Sequence, residues 1–125
     1  SSKSITWPNV ELGENVFVTE PSVIQPFCKL GDNNILFGAQ VGHHSVVGCN
    51  NLLSSCILSG NVTVGHNCFI GLNSSIKQNV SIADYNIIGM NCTIVKNTAP
   101  YSIYSNKGTV KSSVSSEKLS SKYLR

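Results

Sequence analysis

The chain has 125 residues, about one domain's worth, with 12% charged residues and a formal net charge of +3. No basic stripe is interleaved with aromatics, which argues against nucleic-acid binding. The five cysteines form neither a CxxC pair nor a His-Cys cluster, which argues against a zinc site, and unpaired thiols point to a reducing compartment.

Ser1 to Ser4 reads as a disordered start. Ile5 to Val10 contains Trp7-Pro8 and reads as a lead-in that caps the first coil, since an open solenoid end would expose its interior to water. No signal peptide or membrane-length apolar run is found, so a soluble cytoplasmic protein is expected.

From Leu30 the sequence repeats. LGDNNILFGAQVGHHSV, VGCNNLLSSCILSGNVT and VGHNCFIGLNSSIKQNVS each open on aliphatic-Gly, and the first two share Asn-Asn at the same offset. A repeat of this length takes precedence over local secondary-structure signals. Each line divides into six-residue units led by an aliphatic residue, position i. The leaders are Leu12, Val18, Ile24, Leu30, Ile35, Val41, Val47, Leu52, Leu58, Val64, Ile70, Ile76, Ile82, Ile88 and Ile94. This register needs two five-residue units, one at each Asn-Asn. Position i+1 is often glycine, as at Gly13, Gly31, Gly42, Gly48, Gly65, Gly71 and Gly89, where it is expected to ease a corner's backbone angle. Position i+4 is small or narrow, and it takes Cys28, Cys56, Cys68 and Cys92 into the interior as small hydrophobes.

A short strand that points one aliphatic side chain inward, then turns a corner, closes a three-sided coil after three units. Coils stack as parallel strands about 4.8 Å apart. The expected fold is therefore all-β: a single-stranded parallel β-helix of about five coils, with a short C-terminal extension. Residues 1–11 form the lead-in, 12–99 the coils, and 100–125 a cap and tail. Tyr101 to Val110 should fold back over the last coil. Val114, Leu119 and Leu124 could mark a short helix in a loosely ordered, Ser- and Lys-rich end.

Residues three units apart share a corner. Position i+2 on the third face reads Pro26, His43, Gly60, Gln78 and Lys96. This stacks His43 about one strand spacing from Gly60. A corner histidine can serve as a general base near neutral pH. A glycine beside it lets a ligand approach the backbone, whose N–H can meet a developing oxyanion. The pairing suits acyl transfer. Lys96, in the same column, could meet a phosphate or be a solvated corner lysine. On the first face the column is Glu14, Asp32, Cys49, His66 and Asp84, and His66 reads as a surface residue. On the second face Phe37, Leu72 and Met90 are apolar corners, which suggests an interface.

The coil pattern resembles the hexapeptide-repeat, left-handed β-helix family. VGHHSVVG followed by LSGNVTVGHNCFIGLNSSI is similar to the bacterial sugar-nucleotide acetyltransferases of the sialic acid and bacillosamine type. The resemblance implies a left-handed helix and acetyl-CoA as co-substrate, with no metal and no covalent acyl-enzyme. It implies His43 as general base and the Gly60 backbone N–H near the thioester. Pantetheine would lie at a subunit boundary of a homotrimer near Leu72, Ser74 and Met90, with Lys96 toward a CoA phosphate. His44, Asn51 and His66 are then candidates for substrate contact. Three departures stand out. His44 occupies a position usually acidic in the family, and Asn50 and Asn51 stand near a second family histidine. The stretch ahead of the coils is also too short for the N-terminal βαβ domain that often holds the sugar nucleotide. Either the sequence is a piece of a longer protein or the acceptor binds differently. N-acetylation of a nucleotide-linked deoxyamino sugar is the first expectation. O-acetylation of a sugar or other small hydroxyl acceptor, and a non-catalytic scaffold, remain open.

Overall fold

The computed structural model describes residues 5–118. The expectations for Ser1 to Ser4, and for a helix carrying Leu119 and Leu124, lie outside these residues; residues 116–118 are helical.

Among the described residues, seventeen strands of two or three residues form three parallel sheets. The first face stacks Glu11–Leu12, Lys29–Leu30, Val46–Val47, Thr63–Val64 and Ser81–Ile82. The second stacks Phe17–Val18, Ile35–Phe37, Leu52–Ser54, Phe69–Ile70, Ile87–Ile88 and Ile103–Tyr104. The third stacks Ile5–Thr6, Val23–Ile24, Gln40–Val41, Ile57–Leu58, Ser75–Ile76 and Thr93–Ile94. The chain is thus a parallel β-solenoid of about six turns. Ile5–Thr6 pairs with Val23–Ile24 at one end, and Ile103–Tyr104 with Ile87–Ile88 at the other. No helix among the described residues is long and apolar enough to cross a membrane.

The second residue of each strand points inward, giving a column of Ile, Leu and Val from Ile24 to Ile94. Cys28, Cys56, Cys68 and Cys92 are buried within it, as their spacing predicts. The register differs from the sequence reading at two leaders. Leu36 and Leu53 are fully buried and pair with each other, with Val18 and with Ile70, whereas Ile35 is 38% exposed. The five-residue units therefore begin at Leu36 and Leu53, and the units beginning at Leu30 and Val47 are complete. Asn34 and Asn51 occupy the interior i+4 positions that this register requires.

Asparagines buried at these two positions in a hydrophobic column would be costly if their amides lacked partners. Here they form a ladder. Asn34 donates to Gly31 O at 2.9 Å and Gly48 O at 2.7 Å, and its Oδ1 accepts Asn51 N at 2.9 Å. Asn51 donates to Gly65 O at 2.9 Å and accepts Cys68 N at 2.7 Å.

The corner glycines also serve a different purpose from the one expected. Except at Gly38, whose φ is +58°, they are not left-handed; the left-handed residue is i+3, usually asparagine. Asparagine enters that region more readily than most residues. What the glycines give is room. On the first face the acceptor of the next coil lies over the glycine: a Cβ on Gly31 would meet Cys49 Sγ at 2.7 Å, and one on Gly48 would meet His66 Nδ1 at 2.7 Å.

This register makes a test. Leu53→Ala should lower the unfolding free energy by about 2–5 kcal/mol, and Ile35→Ala by about 1 kcal/mol or less. Urea denaturation of the two variants measures both, and equal losses would contradict the register.

Candidate active site

His43 and Gly60 meet at the corner after the third face. A Cβ on Gly60 would lie 2.7 Å from His43 Nε2, so only glycine leaves space beneath the imidazole. The corner is tied through the backbone: Asn61 N donates to His43 O at 2.7 Å, and Asn79 N donates to Gly60 O at 3.0 Å. His43 N donates to Gln25 Oε1 at 3.0 Å. The Gly60 N–H has no hydrogen-bond partner among the described residues. An uncommitted N–H beside an imidazole nitrogen is the arrangement a thioester carbonyl requires.

His44 takes the left-handed position at this corner, with φ 60°. Its ring stacks on Phe27 at 5.0 Å, and its Nδ1 lies 3.0 Å from His43 Nδ1. A groove of about 230 Å³ runs along the third face to the same edge, lined by Val23, Gln25, Gln40, Val41, Gly42, Ile57, Leu58 and Ser59. Sequence reasoning missed Gln25, Gln40 and Ser59. The available signal was polar residues next to the buried leaders of one face, in adjacent coils.

The other candidates lie elsewhere. Lys96 is exposed at the end of the His43 column, two coils beyond Gly60. Leu72 and Met90 are 44% and 59% exposed on the edge after the second face, across the third face from His43. His66 is on the first-face edge, where Nδ1 accepts Cys49 N at 2.8 Å and its own N–H donates to Asp84 at 2.8 Å. Two candidates are corrected. Asn51 is 2% exposed with its amide committed to the interior ladder. Ser74 is fully buried, its hydroxyl donating to Gly89 O at 2.7 Å and accepting Cys92 N at 3.1 Å. Both i+4 side chains point into the coil, so neither offers a polar group to a surface ligand.

The buried thiols are inert by environment. Burial pushes the Cys56 thiol up from 9.0 to about 12, and it also raises Cys28 and Cys68. Cys28 Sγ donates to Gly42 O at 3.0 Å and Cys68 Sγ to Ala83 O at 3.1 Å. Because the folded value of Cys56 lies above the unfolded one, its neutral thiol contributes stability that is full below pH 9 and lost as pH rises toward 12.

No family model matches the chain. A probable macrolide acetyltransferase of Lysinibacillus sphaericus is 29% identical over 103 residues, covering 71% of this chain and 57% of that protein. A mutant perosamine N-acetyltransferase from Caulobacter crescentus, solved with CoA and GDP-perosamine, superposes with TM-score 0.79 at 27% identity, covering 81% of this chain and 49% of that one. PerB from the same organism, with the same two ligands, gives TM-score 0.75 at 30% identity over 78% and 48%. The acetyltransferase domain of PglB from Neisseria gonorrhoeae, bound to acetyl coenzyme A, shares the fold with TM-score 0.70 at 22% identity over 78% and 48%. This chain spans about half the length of those structures.

The thiol environments predict that an alkylating reagent at pH 8 modifies Cys49, which is partly exposed, and spares Cys56, Cys28 and Cys68 while the chain is folded. Mass spectrometry of the labelled peptides checks this, and labelling of Cys56 at the rate of Cys49 would contradict it. By its six-residue repeat and its stacked coils the chain is a parallel β-solenoid, and the proteins it is similar to are acetyltransferases.

Proposed function

We propose that the chain is the β-helical part of an acetyl-CoA-dependent acetyltransferase that acts on an amino group of a nucleotide-linked deoxyamino sugar. The observation that carries the reading is the corner where the His43 imidazole covers Gly60 and the Gly60 N–H is left uncommitted. The neighbours solved with CoA and GDP-perosamine support the substrate class.

In this mechanism the acceptor nitrogen attacks the thioester carbon, and His43 Nε2 takes the proton the nitrogen gives up. Gly60 N–H donates to the oxyanion, which forms only in the transition state and the tetrahedral intermediate. The C–S bond then breaks, leaving the acetyl group on nitrogen and the electron pair on the CoA sulfur. The third-face groove offers Gln25, Gln40 and Ser59 to the ligand's polar groups. Leu72 and Met90, with Phe37, form an apolar edge suited to pantetheine. Lys96 is a charged residue within reach of a phosphate only if CoA runs along the coil axis, and His66 is left to an exposed edge. The reaction requires no metal.

The site sits at the boundary of a homotrimer in this reading. The outward residues of the second face support subunit contact: Phe17, Ile35, Phe69, Ile87 and Ile103 are 58%, 38%, 36%, 48% and 73% exposed. Large apolar residues stacked along one face mark an interaction surface. Unpaired cysteines suit a cytoplasmic setting. A second reading is O-acetylation of a small hydroxyl acceptor, kept because one relative is named for a macrolide and not for a nucleotide-linked sugar.

Thiol release from acetyl-CoA, measured with nucleotide-linked 3-amino and 4-amino deoxysugars beside hydroxyl acceptors, tests the reading. Release with the amino sugars alone is expected. His43→Ala should cost about 10²–10⁴-fold in kcat, the range for a lost general base. Gly60→Ala should cost a similar factor, because its Cβ displaces the imidazole. Release with hydroxyl acceptors alone would move the assignment to O-acetylation. Full activity of His43→Ala would remove the base.

A further inference from the structure

We propose that His44 is a positioning residue: it accepts a hydrogen bond from His43 Nδ1–H and so holds His43 in the tautomer whose Nε2 is bare. The contact between the two rings is geometric, and the inference rests on the acetyl-transfer reading for which of the two allowed tautomers is present.

The two Nδ1 atoms lie 3.0 Å apart, a hydrogen-bond distance. One of them must carry the proton and the other must accept it, because each nitrogen of a neutral imidazole is either donor or acceptor. Two arrangements are possible. If His44 donates, His43 Nδ1 is the acceptor and its proton sits on Nε2, above Gly60, where nothing can then be abstracted. If His43 donates, Nε2 is bare and faces the place where a Cβ on Gly60 would lie 2.7 Å away. Only the second arrangement makes a base at this corner. His44 then carries its own proton on Nε2.

The surroundings hold the His44 ring in place against His43. Its backbone is fixed at φ 60°, and its N–H donates to Pro26 O at 3.1 Å. Its ring lies on Phe27 with an interplanar angle of 21°, and meets the His43 ring edge-on at 86°. The residues that bond or stack with the pair (Gln25, Pro26, Phe27, Gly60 and Asn61) are uncharged. An imidazole therefore stands at His43 Nδ1, where a carboxylate would otherwise be the usual orienting partner. When His43 takes the acceptor's proton it becomes imidazolium, and the Nδ1–H···Nδ1 bond becomes charge-assisted and shorter. The transition state gains more from His44 than the ground state does. Both rings are exposed in the isolated chain, so the bond strengthens when bound ligand excludes water.

The first test is a long-range proton–nitrogen correlation spectrum of the full chain at neutral pH, assigned by His43→Gln and His44→Gln. The expected result is a protonated Nδ1 and bare Nε2 on His43, with the reverse on His44. A protonated Nε2 on His43 overturns the proposal. The second test is kinetic. His44→Gly keeps the left-handed backbone and removes the acceptor; kcat should fall about 10–100-fold with KM changed less than about threefold. His44→Asp restores an acceptor, should return kcat to within about fivefold, and should move the acid limb of the kcat/KM profile to higher pH because a carboxylate favours the imidazolium. A merely structural residue would leave the His43 tautomer unchanged in the spectrum of His44→Gly. Unchanged kcat in His44→Gly overturns the proposal. Absence of thiol release from the unaltered chain with every acceptor would overturn the acetyl-transfer reading instead, and the tautomer spectrum would still decide the pair.

Discussion

The main-chain ladder between coils is the constraint on which the whole structure depends. Gly42 N donates to Leu58 O at 2.8 Å, Gly65 N to Ile82 O at 2.9 Å, and the pattern continues around all three faces. Parallel strands held this way fix the vertical spacing at about 4.8 Å. They also fix which residue stands above which. His43 and Gly60 are 17 positions apart and belong together only because the coil between them closes after that many residues.

The ladder also accounts for the side chains at the corners. Each coil presents backbone N–H groups that the strand bonds do not reach. On the first face they are met from the next coil, by Asp32 for Glu14, Cys49 for Asp32, His66 for Cys49 and Asp84 for His66. Those acceptors lie over the preceding glycines, so the Gly-x pairs and the polar column are one device. Gly60 departs from it. Its N–H finds no such acceptor among the described residues, and its upper face is covered by an imidazole. An unmet N–H is normally costly when buried. In the proposed mechanism it donates to the developing oxyanion.

Much of this was legible in the sequence because aliphatic leaders at period six fit few folds besides a stack of three-sided coils. The stacking of His43 on Gly60 came directly from that period, since neither lies in a shortened unit. The register failed where two aliphatic residues are adjacent. Ile35-Leu36 and Leu52-Leu53 each offer two possible leaders, and composition favours treating asparagine as a surface residue. Burial of Asn34 and Asn51 depends on bonds to Gly31, Gly48 and Gly65, which no local pattern reveals. The same failure led to Asn51 as a substrate contact. The His43–His44 contact depends on a left-handed φ at His44, where asparagine would be the ordinary choice. The third-face groove was missed because Gln25, Gln40 and Ser59 belong to different units and converge only when the coils stack.

The most direct measurement of the central claim is a crystal structure of this chain with CoA. The account predicts the CoA sulfur at the third-face corner, within about 4 Å of both His43 Nε2 and Gly60 N, the reach of a near-attack arrangement. A CoA sulfur bound at the first-face edge beside His66, or on the apolar second face away from His43, would contradict it.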